Sequence, residues 1–276
     1  MKNIYITDLD HTFLRSDLSL SDFSKTIWNT KAEHSIMSVA TARTYKKTLQ
    51  FLKDLEINAP MILLDGALIA TVDKKIVDTK FIDKEIADAI INEGAKFGIY
   101  PFVLSLADKN LNEAFLYSSI LNASQKEVLT RYANDDNLIE CKNIRAMDDN
   151  FKIVYMGDEA LLRELTLHIE KIFGDNLKYI LAPEAYVGCY FLTILHKDAD
   201  KSHGIRSVSE YMGFDLEKLT VFGDNFNDVG MFELAKYAVA VANAQDGVKK
   251  LANIILPHTN DEDAVAKYLQ GLKDVK

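Results

Sequence analysis

Hydrophobic positions along the chain change period in a regular way. Asn3–Thr7 is a short β-prone run that ends at Asp8. Phe23 and Ile27, four apart, predict a helix over Ser21–Thr30. His34–Thr41 reads as a second strand. Thr44–Leu55 is amphipathic, with Tyr45, Leu49 and Leu52 on one face, and Met61–Leu64 is a third strand closed by the turn signal Asp65-Gly66. Strands alternating with helices predict a parallel sheet wrapped by helices through right-handed crossovers.

The rhythm then changes. Leu68–Val72 and Lys75–Thr79 predict a hairpin turning at Asp73-Lys74. Beyond Phe81 the order is helix (Asp83–Phe97), strands (Tyr100–Leu106, Ala114–Ser118), helix (Ser124–Ala133), strand (Phe151–Met156), helix (Glu159–Phe173) and strand (Tyr179–Ala182). Asn134–Asn137 and Asp148–Asn150 read as loops. The α/β rhythm resumes with a strand at Tyr190–Leu195, a helix at Ser202–Met212 and a strand at Leu219–Phe222. The expected fold class is α/β: a Rossmann-like parallel-sheet core formed by residues 1–80 and 189–276, with an inserted α+β domain at 81–188.

Composition sharpens this only in places. Of 276 residues, 48% are apolar and 26% charged, enough for a sizeable core and too apolar for disorder. The net charge of −9, with no dense Lys/Arg run, argues against a nucleic-acid partner. An anionic ligand would need a locally positive site, made by a metal or a few placed cations. Two widely spaced cysteines, Cys141 and Cys189, make neither a disulfide framework nor a zinc site. With no apolar leader and no membrane-spanning run, the expectation is a cytoplasmic protein with no membrane association and no evident obligate protein partner.

Four places carry chemistry, each at a predicted strand end, where open sheets place their ligands. Asp8-Leu9-Asp10-His11-Thr12 follows the first strand; read alone it is also suited to an Asx turn. Thr41-Ala42-Arg43 could hold a phosphate oxygen, or Thr41 could cap the next helix. Lys201 could neutralise phosphate charge or be solvated, and Lys197 is an equal rival. In Gly223-Asp224-Asn225-Phe226-Asn227-Asp228, two carboxylates and an amide offer oxygen ligands fit for Mg²⁺, or Asp224 caps a helix with Asp228 in solvent.

In order and spacing these four resemble the haloacid dehalogenase (HAD) superfamily, whose motifs are Asp-x-Asp-x-Thr, a Thr or Ser, a Lys, and Gly-Asp-x-x-x-Asp. Val39–Arg43, Asp65-Gly66-Ala67 and Val241–Ala244 are similar to segments of its Cof-type, subclass IIB phosphatases. There are three departures: Ala42 stands where Gly is usual, His11 where Gly is commoner, and Asp65 where Asn is usual. A carboxylate at 65 facing the site would repel phosphate.

The resemblance implies a phosphatase acting on a small phosphorylated metabolite, by family a sugar phosphate, with the insertion as an α/β cap. It implies Asp8 as the nucleophile that becomes an aspartyl phosphate, and Asp10 as general acid and base. It implies Thr41 and Lys201 on the phosphate, with Mg²⁺ held by Asp8, the Asp10 carbonyl, Asp224, Asn227 and Asp228. Arg43, Tyr186 and Tyr190 are candidate pocket residues. A phosphomutase and a catalytically idle binding protein on the same fold are the alternatives.

Overall fold

The computed structural model describes residues 2–131, 137–184 and 187–272. The chain divides into two compact units, one up to Thr79 and from Asp200 onward, the other Lys80–Ala199.

The first unit is built on a five-stranded parallel sheet. Its spatial order is Ile254–Ile255, Tyr237–Ala240, Leu219–Gly223, Ile4–Thr7, Ile36–Val39. The central strands are near-continuous apolar runs (IYIT, LTVFG) and are buried throughout, as strands covered by helices on both faces must be. From Ile4–Thr7 the chain moves outward to Ile36–Val39, and later returns to place Leu219–Gly223 on the other flank. That reversal opens a crevice at the carboxyl ends of the two central strands. The register Thr7↔Phe222 sets Asp8 beside the loop that starts at Gly223, and the Asp8 amide donates to the Phe222 carbonyl at 2.9 Å.

Met61–Leu63 approaches this sheet through a parallel bridge between Ala40 and Ile62, then turns back against Leu68–Ala70 and Ile76–Thr79 as an antiparallel ribbon. The hairpin expected from the sequence is therefore present, with a third strand on it.

The second unit holds a six-stranded sheet in the order Leu177–Glu184, Cys189–His196, Asn150–Gly157, Phe102–Leu106, Glu113–Ser118, Leu138–Cys141. All pairs are antiparallel except the last. Alternation separates its faces. Val103, Ile153, Tyr155 and Ile194 pack with Ile90 and Ile91 of helix Lys84–Lys96 and with Leu162, Leu165 and Ile169 of helix Glu159–Phe173. Phe102 and Met156 face the other way, toward Val128 of helix Ala123–Arg131. The Tyr155 hydroxyl donates to the Ile90 carbonyl at 2.8 Å, and the ring lies where a Cβ on Gly94 would sit 2.3 Å from the hydroxyl oxygen.

Three expectations change. The strand expected at Tyr190–Leu195 exists but lies in the second unit's sheet, antiparallel between 177–184 and 150–157, because its backbone groups pair there over eight residues. The chain re-enters the first unit only at Asp200. Leu138–Cys141, too short and polar to register as periodic, is a strand, and Asn150 begins a strand rather than sitting in a loop: its side chain is buried on Ser105, Ile82 and Met147. Residues 134–136 and Tyr186 lie outside the described residues. No described helix is long and apolar enough to cross a membrane.

One polar cluster ties the loop after the first strand to the C-terminal helix Ala264–Gly271. Asp263, in a left-handed conformation (φ 59°) ahead of that helix, accepts from Arg15 Nε at 3.2 Å, Arg15 Nη2 at 2.8 Å, Ser21 Oγ at 2.9 Å and Ser24 Oγ at 3.1 Å. Burial works against the Asp263 carboxylate, but these donors outweigh it and lower its pKa. Its ionised form therefore stabilises the fold above the unfolded carboxyl range, and that contribution is lost as pH falls through the folded pKa. Asp263→Ala is expected to cost about 2 kcal/mol in urea unfolding at neutral pH. The difference from wild type should shrink once pH drops below about 4.

Candidate active site

The loop after Ile4–Thr7 leaves the sheet in one tight turn. Asp8 and Asp10 keep extended backbone, His11 is left-handed (φ 57°), and the Leu14 amide closes the turn on the Leu9 carbonyl at 2.8 Å. The His11 carbonyl is held by Asn243 Nδ2 at 2.7 Å. This geometry buries Asp8 and leaves the Asp10 side chain about a third exposed.

Lys201, the first residue of helix Lys201–Met212, reaches the same place. Its ammonium lies 2.5 Å from Asp8 Oδ1 and 2.6 Å from Asp228 Oδ1, and both the Lys201 and Asp228 side chains are fully buried. The other oxygen of Asp228 accepts from the amides of Asp224 and Asn225 at 2.9 and 3.0 Å. Thr12 Oγ1 donates to Asp224 Oδ1 at 2.8 Å. Asp8, Asp224 and Asp228 bring carboxylate oxygens within 4.8 Å of one another.

Asn225, not Asp224, caps the turn at 226–228, and Asp228 faces the lysine rather than solvent. Thr44, not Thr41, caps helix Tyr45–Leu52. Thr41 is buried, with its Oγ1 accepting from the Arg43 amide at 3.2 Å. Asp200 caps the helix of Lys201, while Lys197 is exposed in the second unit.

Arg43 and Tyr190, the two candidate pocket residues among the described ones, each hold a carboxylate. Arg43 forms a two-pronged ion pair with Asp10, Nε to Oδ2 at 2.8 Å and Nη2 to Oδ1 at 2.5 Å, with its guanidinium 4.5 Å above the Phe51 ring. The Tyr190 hydroxyl bonds to Glu159 within the second unit, which raises its pKa. Asn227 donates from Nδ2 to Asp65 Oδ1 at 3.0 Å. Sequence reasoning gave no task to Thr12 or Asn243. Thr12 stands inside the Asp-x-Asp-x-Thr match, which was its only signal. Asn243 lies in the Val241–Ala244 segment, whose resemblance to the family was its only signal; its hydrogen bond spans 232 residues.

Electrostatics make this a place for a cation. Burial raises the Asp8 pKa well above normal, with Asp228 and Asp224 adding to it and Lys201 opposing. Burial and then Asp228 push Asp224 up to about 6, against the Thr12 hydrogen bond. Burial disfavours charge on Lys201 too, but Asp228, Asp8 and Asp65 outweigh it and hold its pKa above the usual range. One ammonium thus faces more carboxylate charge than it can balance. An all-oxygen donor set of this kind fits a hard divalent ion.

The sequence profile of the haloacid dehalogenase-like hydrolases matches residues 5–269. The chain belongs to that family. Over 95% of its length it is 24% identical to 94% of the Bacillus subtilis protein named 5-amino-6-(5-phospho-D-ribitylamino)uracil phosphatase. A crystal structure from Thermotoga maritima superposes with a TM-score of 0.82 at 24% identity, covering 99% of this chain and 98% of that one. A structure described as a HAD subclass IIB sugar phosphatase superposes at 0.72 with 18% identity, covering 98% of each chain. At these identities the superpositions establish the fold. Family and relatives together make the chain a phosphoric monoester hydrolase.

A carboxyl that titrates near 6 gives the cluster a pH signature. In the cation-free protein, ionising Asp224 costs more when folded than unfolded. The Asp224 contribution to stability is therefore full below about pH 4 and is lost as pH rises through about 6. Protons and a divalent cation compete for the same oxygens, so calorimetric affinity for the cation should weaken as pH is lowered through about 6.

Proposed function

We propose that this enzyme is a magnesium-dependent phosphatase that hydrolyses a small phosphorylated metabolite through an aspartyl phosphate on Asp8. The observation that carries the reading is the buried contact of Lys201 with both Asp8 and Asp228 beside Asp224. It gathers a nucleophile, a cation and a set of metal ligands at the ends of two adjacent strands.

The chemistry follows from these groups. Lys201 holds Asp8 Oδ1, which orients the carboxylate with Oδ2 as the attacking atom. Attack on phosphorus forms the Asp8–phosphorus bond as the ester oxygen departs, taking a proton from the Asp10 carboxyl. Water then attacks phosphorus, Asp10 takes its proton, and the Asp8–phosphorus bond breaks to give inorganic phosphate. Arg43 holds both oxygens of Asp10; one of them must leave the guanidinium to carry the proton that Asp10 donates, and the remaining hydrogen bond then fixes where the carboxyl sits. The Thr41 hydroxyl, whose oxygen accepts from the Arg43 amide, is proposed to donate to a phosphate oxygen. Asp8, the Asp10 carbonyl, Asp224, Asn227 and Asp228 are the residues proposed to hold Mg²⁺, which when bound supplies charge stabilisation to the transferring phosphoryl group. The uncatalysed barrier asks for ~20 kcal/mol of lowering, so positioning and charge must supply most of it.

A sugar or polyol phosphate is the proposed substrate class. Support comes from the names of two similar proteins, one carrying a phosphoribityl group and one a sugar phosphatase. The second unit is read as the cap that contributes specificity, and the protein as cytoplasmic.

Asp8→Asn is expected to lower Mg²⁺-dependent release of phosphate from p-nitrophenyl phosphate by about a thousandfold or more, with circular dichroism unchanged. Wild-type turnover in that variant would overturn the mechanism. A wild-type protein that moved phosphate between sugar positions with little free phosphate would favour a mutase. Arg43→Met is expected to lower kcat by about a hundredfold by releasing Asp10, and Arg43→Lys should not restore it, because an ammonium has no fork.

A further inference from the structure

Asp65 has no part in the chemistry above, yet it sits where the pieces of the site meet. Its amide donates to the Thr41 carbonyl at 3.0 Å, and the Leu64 amide donates to the Arg43 carbonyl at 3.1 Å. Leu64, Asp65 and Gly66 are successive left-handed residues, with φ of 52°, 55° and 90°. Gly66 is required there on two counts. Its φ disfavours a side chain, and a Cβ would lie 2.0 Å from the carbonyl oxygen of Asp200, which caps the helix of Lys201. The loop is thus wedged between the Thr41 loop and the Lys201 helix. Asp65 is 9% exposed, and its side chain accepts from Asn227 Nδ2.

A carboxylate at 65 has a consequence that the family's usual Asn does not. It can only accept, so it commits the amide nitrogen of Asn227 and leaves Oδ1 as the end fit to serve a hard cation or a water bound to it. An Asn at 65 could accept or donate, and would let the Asn227 amide turn either way. Asp65 also adds a negative charge near Lys201, alongside Asp8 and Asp228.

Resting on the reading of this cluster as a magnesium site, we propose that Asp65 is a positioning residue for the cation. It fixes the orientation of Asn227, so that this chain binds Mg²⁺ more tightly than it would with Asn at the same position. The carboxylate that seemed misplaced beside a phosphate site acts on the metal side of it.

The test is titration of MgCl₂ into the phosphate-free protein at neutral pH, followed by calorimetry. Asp65→Asn and Asn227→Ala should each raise the Kd for Mg²⁺ about tenfold. The double variant should be no weaker than the weaker single by more than about twofold. With p-nitrophenyl phosphate, the Mg²⁺ needed for half-maximal rate should rise about tenfold in Asp65→Asn, while kcat at saturating Mg²⁺ falls less than about threefold. An unchanged Kd in Asp65→Asn overturns the proposal, and so does a double variant as weak as the product of the singles. Should Asp65→Asn fail to fold, wild-type affinity in Asn227→Ala overturns it equally. A wild-type protein that takes up no Mg²⁺ would instead overturn the reading of the cluster as a magnesium site, and this proposal with it.

Discussion

A single ammonium shared by two buried carboxylates is the contact on which the site of the first unit depends. Lys201 joins Asp8, at the end of one central strand, to Asp228, on the loop after its neighbour. Three ionisable groups taken out of water together are costly, and the two contacts of Lys201 offset part of that cost. Removing one partner of such a buried set leaves an uncompensated charge, with a penalty of about 3–5 kcal/mol. The contact therefore does not decorate the fold. It requires the helix of Lys201, the first strand and the Asp228 loop to hold one mutual arrangement.

The surrounding loops are built to hold that arrangement. Asp228 spends its second oxygen on two backbone amides, which draws Asp224 in beside it. Thr12 reaches across from the first loop to orient Asp224. Gly66 lets a neighbouring loop press against the cap of the Lys201 helix. The outcome is a site whose oxygen ligands are fixed while its charge stays unbalanced. Such a donor set fits a divalent cation, and the raised pKa values of Asp8 and Asp224 express the same imbalance as a preference for protons.

Much of this was legible in the chain. Apolar runs ending at Asp8, Thr41 and Gly223 pointed to strand ends, because in a parallel sheet buried on both faces apolar runs and chemistry meet only there. Helix Glu159–Phe173 was bounded correctly, since its apolar positions repeat at helical spacing and Gly174 ends it. The strand at Leu138–Cys141 was not, because four half-polar residues carry no period. The strand at Cys189–His196 was seen, but its sheet was not: periodicity tells which residues extend, and not which neighbours their backbone groups find.

The α/β class and the family could be read from the chain alone, because motif spacing and hydrophobic period are local properties. The partners of the motif residues could not. The folded chain puts Lys201 rather than Lys197 against Asp8, pairs Arg43 with Asp10, and gives Asp65 a partner 162 residues away. Ion pairs and hydrogen bonds of that reach depend on where loops close in space. No local pattern encodes that.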